Sequence, residues 1–144
     1  MLKLNMQTEP YWIDLPGGIT VKVKPINSAI MTAAKTNRNI AIKTMHDANP
    51  IDPQLLSGLN DSLLTKELGH LAIIEWEGVF LSDGTPAPVE PKTIDQLMDV
   101  WIVAQIFMET YIFQLKLMVF EGNGLAPAAN GISAEEAPTA ENAG

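Results

Sequence analysis

The chain has 144 residues, 47% of them hydrophobic, and its 17 acidic and 9 basic side chains give a net charge of −8. That length fits one domain with a real core, and the acidic balance argues against nucleic acid as a partner, which needs clustered Lys and Arg. Cysteine is absent, so disulfides and thiolate metal sites are excluded and a reducing compartment is the simpler setting.

Met1 to Pro10 shows no clear period and reads as a loose lead-in. It holds no apolar run of the signal-peptide kind, so the cytoplasm is the expected location. Tyr11, Ile13 and Leu15 alternate with Trp12 and Asp14. Pro16-Gly17-Gly18 is a turn signal. Ile19, Val21 and Val23 then alternate with Thr20, Lys22 and Lys24. The pattern predicts a β-hairpin over 11–24 with one buried face. A lone hairpin is marginal in water, so helices are expected to form its floor.

Ser28 is the expected N-cap of a helix over 28–45. Its apolar positions include Ile30, Ala34, Ile42 and Met45, with Lys35, Arg38 and Lys43 facing water. His46 to Pro50 breaks that helix, and Ile51 to Asn60 reads either as a short helix or as a loop around Gly58. Asn60 or Asp61 caps the next predicted helix, over 60–76, with Leu64, Leu68, Leu71 and Ala72 on one stripe. Gly69 inside it marks close packing against a neighbour. Val79 to Lys92 is a connector, with a turn at Ser82-Asp83-Gly84 and an extended course set by Pro86, Pro88 and Pro91.

The spacing then predicts one long helix over 93–120, capped by Thr93 and uninterrupted by Gly or Pro. Gln105, Glu109 and Lys116 share one narrow sector, with Asp95 beside it. Most of the remaining girth is apolar. A helix of this kind must be covered on several sides, and a short chain has limited material to do so. Three readings follow: a central core helix, a surface for a helical partner, or a transmembrane span. Glu109 would lie in the middle of such a span, where a carboxylate is costly, and no basic cluster follows to orient it. On the second reading the contact residues are Trp101, Phe107, Met108, Tyr111, Leu115 and Met118. Met98, Met108 and Met118 recur along the helix, and methionine adapts to varied partners. Glu121-Gly122-Asn123-Gly124 is a stop signal. The segment 121–144 carries four acids and no base and reads as a disordered acidic tail that favours solubility.

No catalytic, metal or cofactor site is predicted. His46 and His70 have no second ligand at useful spacing. There is no Gly-x-Ser-x-Gly, and Gly17-Gly18 lacks the Gly-Lys-Ser/Thr of a phosphate loop. Glu75 and Glu77 sit two apart and diverge rather than converge across a cleft. The expected class is therefore α+β and mainly α-helical. An N-terminal hairpin packs on a small helical domain with one long C-terminal apolar helix, all within residues 1–120.

In the middle of the chain a leucine-bearing helix runs into Ile74-Glu75-Trp76-Glu77-Gly78-Val79. Ser82-Asp83-Gly84-Thr85-Pro86-Ala87-Pro88 follows, and then a helix with Thr93, Ile94, Leu97 and Met98. Over residues 10 to 120 this order resembles the tail assembly chaperones of long-tailed, siphovirus-like bacteriophages and prophages. The connector residues that carry the likeness are Trp76, Gly78, Val79, Asp83, Gly84 and Pro86. The resemblance implies a non-enzymatic protein of the host bacterium's cytoplasm that coats the helical tape measure protein before the tail tube polymerises. It also implies a longer frameshifted form that recruits tail tube subunits, and it is compatible with a homo-oligomer. The alternative is a structural virion component, a head–tail connector or tail completion protein, that uses the same helix to form rings.

Overall fold

A computed structural model describes the backbone of residues 8–122 and the side chains through Ile112. Seven elements follow in order: β1 (Tyr11–Leu15), β2 (Ile19–Val23), α1 (Ser28–Ala48), α2 (Pro53–Ala72), β3 (Ile73–Glu77), α3 (Pro91–Met98) and α4 (Trp101–Gly122). The class is α+β, with a three-stranded antiparallel sheet in the order β1-β2-β3. Residues Gln7–Tyr111 form one compact unit. The acidic tail expected over 121–144 lies, from Asn123 on, outside the described residues.

The hairpin forms where its alternation places it. Ile13 pairs with Val21 and Leu15 with Ile19, and Ile13, Leu15, Val21 and Val23 are buried on one face. Gly17 and Gly18 take positive φ in the turn, a region open to glycine at little cost.

The hairpin has a third strand that was not expected. The predicted helix over 60–76 stops at Ala72, and Ile73–Glu77 pairs with β2 instead. Two adjacent β-branched isoleucines followed by Glu75 and Glu77 on either side of Trp76 suit a half-buried strand better than a helix end. Lys22 faces Glu75 and Val23 faces Ile73, so Ile74 is an extra residue in the ladder. Such a bulge bends a strand locally.

Helix starts also differ from the prediction. Asn27, not Ser28, caps α1: its Oδ1 accepts from the Ile30 amide at 2.9 Å. The helix runs to Ala48 rather than residue 45. The ambiguous segment after Ile51 is helical, so α2 begins at Pro53 and not at Asn60. Asp52 Oδ1 accepts from the Gln54 amide at 2.9 Å, and Pro53 sits at the first helical position, where its missing N–H costs nothing.

The single long helix over 93–120 is not formed. It is divided at Asp99-Val100 into α3 and α4. The Val100 amide donates to Leu97 O at 3.1 Å, a tightened turn, and the helix resumes with the Ala104 amide donating to Val100 O. Burial explains the break. α3 buries Thr93, Ile94, Leu97 and Met98, while the start of α4 buries Val103, Phe107 and Tyr111. At roughly 3.6 residues per turn these two sets would be centred about 110° apart around a continuous helix. The break lets both reach the core. Thr93 stands in the first turn of α3 rather than at its cap; its Oγ1 accepts from the Glu90 amide at 3.2 Å.

α2 and α3 are held closely. A Cβ added at Gly69 would lie 2.8 Å from Ile94 Cγ2, so the sequence reading of Gly69 as a packing glycine agrees with this contact. Two polar ties flank it. Lys66 Nζ lies 2.7 Å from Asp99 Oδ1 and His70 Nε2 lies 2.6 Å from Asp95 Oδ1. The donors are four residues apart on α2, and so are the acceptors on α3 and its end, which places each pair on one helical face.

Candidate interaction surface

The connector residues are explained by structure. Trp76 Nε1 donates to Ala87 O at 2.8 Å, and the Ala87 amide donates to Val79 O at 2.9 Å. These bonds fold the connector back beside β3, where Phe80 and Pro86 form a bridge. Gly78 has φ +84°, and a Cβ there would stand 2.5 Å from Gly18 O. Only glycine permits this approach of connector to hairpin turn. Gly84 also takes positive φ. Asp83 Oδ1 accepts from the Thr85 amide at 2.9 Å and from its hydroxyl at 2.7 Å. The Thr85 hydroxyl, followed by its amide, holds the Asp83 carboxyl below its usual pKa. Trp76 in β3 and Gly78, Val79, Asp83, Gly84 and Pro86 after it thus shape the connector and its turn.

The residues expected to touch a partner divide into three groups. Phe107 and Tyr111 are fully buried, with ring centroids 5.4 Å apart in a stacked pair. The Tyr111 hydroxyl donates to Lys24 O at 2.8 Å. Burial, followed by the nearby Tyr11 hydroxyl, pushes the Tyr111 pKa far up, so it stays a neutral donor. Burial also raises Tyr11. Phe107 and Tyr111 are core residues in this unit and face no partner without its unfolding. Met108 is half-buried. The side chains of Leu115 and Met118 lie outside the described residues. Among those whose side chains are described, Trp101 is the one that faces water, at 76% exposure.

Trp101 has company that the sequence reading did not single out as contacts. Val100 is 49% exposed and Ile102 42%, giving three consecutive apolar side chains at the α3–α4 corner. Isolated exposed apolar residues are ordinary; three in a row, 42–76% exposed, are less so. Carboxylates surround the corner in sequence: Glu90, Asp95, Asp99 and Glu109, against one ammonium, Lys92, between Glu90 and Ile112. Gln105, one turn beyond Trp101, donates to Glu109 Oε2 at 3.2 Å.

A second apolar surface lies at the far end of the α1–α2 pair. From Lys43 to Gly58 every residue except Ile51 is exposed, so this end projects as an arm. Ile40 and Leu55 are more than half exposed, and Met45 and Leu56 are exposed beside them in sequence. Hydropathy alone does not separate these residues from core; the arm's projection does.

Among the described residues no group of three or more His, Asp or Glu side chains could hold a metal ion. No described helix is long and apolar enough to cross a membrane. Comparison with protein-family models, with curated proteins and with solved structures finds no match to this chain.

Proposed function

We propose that the chain is a tail assembly chaperone of a long-tailed bacteriophage or prophage. It binds the helical tape measure protein in the host cytoplasm, keeps it in solution during tail assembly and catalyses no reaction. The observation that carries the reading is the exposed Val100-Trp101-Ile102 group. A protein that holds an apolar helix needs an apolar surface of its own, and a solvent-facing tryptophan is the side chain most often found to dominate such contacts. The order of hairpin, helical pair, Trp-x-Gly-Val connector and closing helix supports the same reading by resemblance. A longer frameshifted form that recruits tail tube subunits belongs to the proposal, as an added domain rather than a property of these residues.

The test is co-expression of the full chain with the tape measure protein encoded beside it, followed by affinity capture from the soluble fraction. Wild type is expected to carry the tape measure protein into solution. Trp101→Ser is expected to weaken capture by roughly 30-fold, the effect of losing a contact worth about 2 kcal/mol, while keeping its far-UV circular dichroism. A Phe107 or Tyr111 variant would not serve, because it removes core. Wild type that leaves the tape measure protein insoluble overturns the proposal. So does recovery of the chain in purified virions at fixed stoichiometry, which is the behaviour of a ring-forming structural component.

A further inference from the structure

We propose that the turn at the arm's end opens when His46 takes up a proton. The inference is independent of the chaperone reading and concerns how one end of the molecule answers to pH.

The turn between α1 and α2 has little to hold it. Ile51 is the one residue from Lys43 to Gly58 that is not exposed. Apolar burial therefore contributes little there, and local opening depends on the hydrogen bonds that remain. The Asn49 amide donates to Met45 O at 3.0 Å and closes the end of α1. The Gln54 amide donates to Asp52 Oδ1 and the Leu55 amide to Asp52 O, each at 2.9 Å, and these start α2. Pro50, between them, has no N–H to give. The Ile51 amide donates to His46 Nδ1 at 3.1 Å. Of these bonds it is the one that ties α1 to the chain beyond Pro50.

The direction of that bond fixes the state of the ring. A backbone amide only donates, so Nδ1 accepts. An imidazole that accepts at Nδ1 is neutral and carries its proton on Nε2. Protonation places a second N–H at Nδ1, facing the N–H of Ile51. Two donors make no bond, so ring and amide turn apart and the turn loses its tie. The charged groups nearest in sequence do not replace it. On α1, Lys43 and Asp47 are paired with each other at 3.0 Å. At the start of α2, Asp52 already accepts from the Gln54 amide. An imidazolium that swings toward either carboxylate leaves Ile51 behind.

His70, the other histidine of the chain, is wired the opposite way. Its Nε2 lies 2.6 Å from Asp95 Oδ1 and its Nδ1 3.6 Å from Glu67 Oε2. Both nitrogens face carboxylates, so a second proton leaves the tie between α2 and α3 in place. The response to acid is therefore confined to the arm's end.

The experiment follows amide hydrogen exchange by NMR on the full chain between about pH 8 and about pH 5, the span over which histidine changes charge. Rates are corrected for the exchange of free peptides at each pH, and the imidazole signals of both histidines are followed in the same samples. Protection of the Ile51 amide is expected to fall about five-fold, the worth of one such hydrogen bond, in step with the His46 signals. The Lys24 amide, which donates to Ala72 O, should keep its protection. His46→Asn sets an oxygen that does not titrate at the place of Nδ1 and should hold Ile51 protection level across the range. His46→Ala should leave it low throughout, and His70→Gln should leave the wild-type response as it is. The proposal is overturned if Ile51 protection stays level while His46 takes up its proton, or if the change follows His70. A change that persists in His46→Asn overturns it too, as does a parallel loss at Lys24, which would mean that the whole unit responds. None of these outcomes bears on capture of the tape measure protein, which is measured separately.

Discussion

The buried core that includes the inner face of the sheet and the end of the arm are built from similar residues and do different things with them. At the base, Val21, Val23, Leu68 and Phe107 are fully buried, and Gly69 and Gly78 have no room for a methyl group. At the arm's end, Ile40, Leu55 and Leu56 stand in water, and a Cβ at Gly58 would meet nothing within 4 Å. The difference teaches that hydropathy marks which side chains avoid water but not where they find cover. The base has used its apolar groups for stability, and the arm and the corner leave theirs in water.

The strongest way to break this contrast is to empty the base. Phe107→Ala should lower the unfolding free energy by about 3–5 kcal/mol, the usual loss for a buried aromatic ring, read from urea melts. An effect below about 1 kcal/mol would mean that Phe107 is not core in solution. The two glycines of α2 sharpen the comparison within one helix. Gly69→Ala should destabilise by about 1–3 kcal/mol, because the new methyl group meets Ile94. Gly58→Ala should stabilise by about 0.5–1 kcal/mol, because only helix propensity is at stake. Equal effects at both positions would erase the distinction. On the exposed side, Trp101→Ser should change stability by no more than about 0.5 kcal/mol, in contrast with Phe107 six residues on.

The smallest effect concerns Asp83. Its pKa is lowered by the Thr85 hydroxyl and amide, so the folded state binds that proton less readily than the unfolded chain does. The contribution is present above the unfolded value and is lost as pH falls through the folded one. Carbon-detected NMR should place the Asp83 midpoint below 3.8, and Thr85→Val should move it upward. A midpoint unaltered by that change would mean the turn's hydrogen bonds do not form.

The hairpin was legible because period-2 alternation around Pro16-Gly17-Gly18 has few other meanings. β3 was not, since Ile73-Ile74 continues the apolar run of α2 and no glycine or proline separates them. What makes it a strand is the unpaired edge of β2, which is distant in sequence. The break at Asp99-Val100 was illegible for a related reason. No residue there forbids a helix, and the cause is the conflicting direction of the Ile94 and Phe107 faces. The candidate surface suffered most. Around a helix apolar on most of its girth, Trp101 and Tyr111 look alike until the core is seen. Asp52-Pro53, by contrast, was a readable helix start that proximity to Pro50 disguised as a loop.

The chain leaves the sheet at Lys24 and returns to it at Ala72, and the two ends of that excursion meet in one hydrogen bond, from the Lys24 amide to Ala72 O at 2.9 Å. The sheet therefore closes whatever lies between them. Nothing in its register measures the length of α1 and α2, only that the two run out and back together. Matched whole turns can be added to or taken from their far end, each about 5.4 Å of reach, without disturbing a single strand pair. The arm is an adjustable part: its span can change while the base beneath it stays the same.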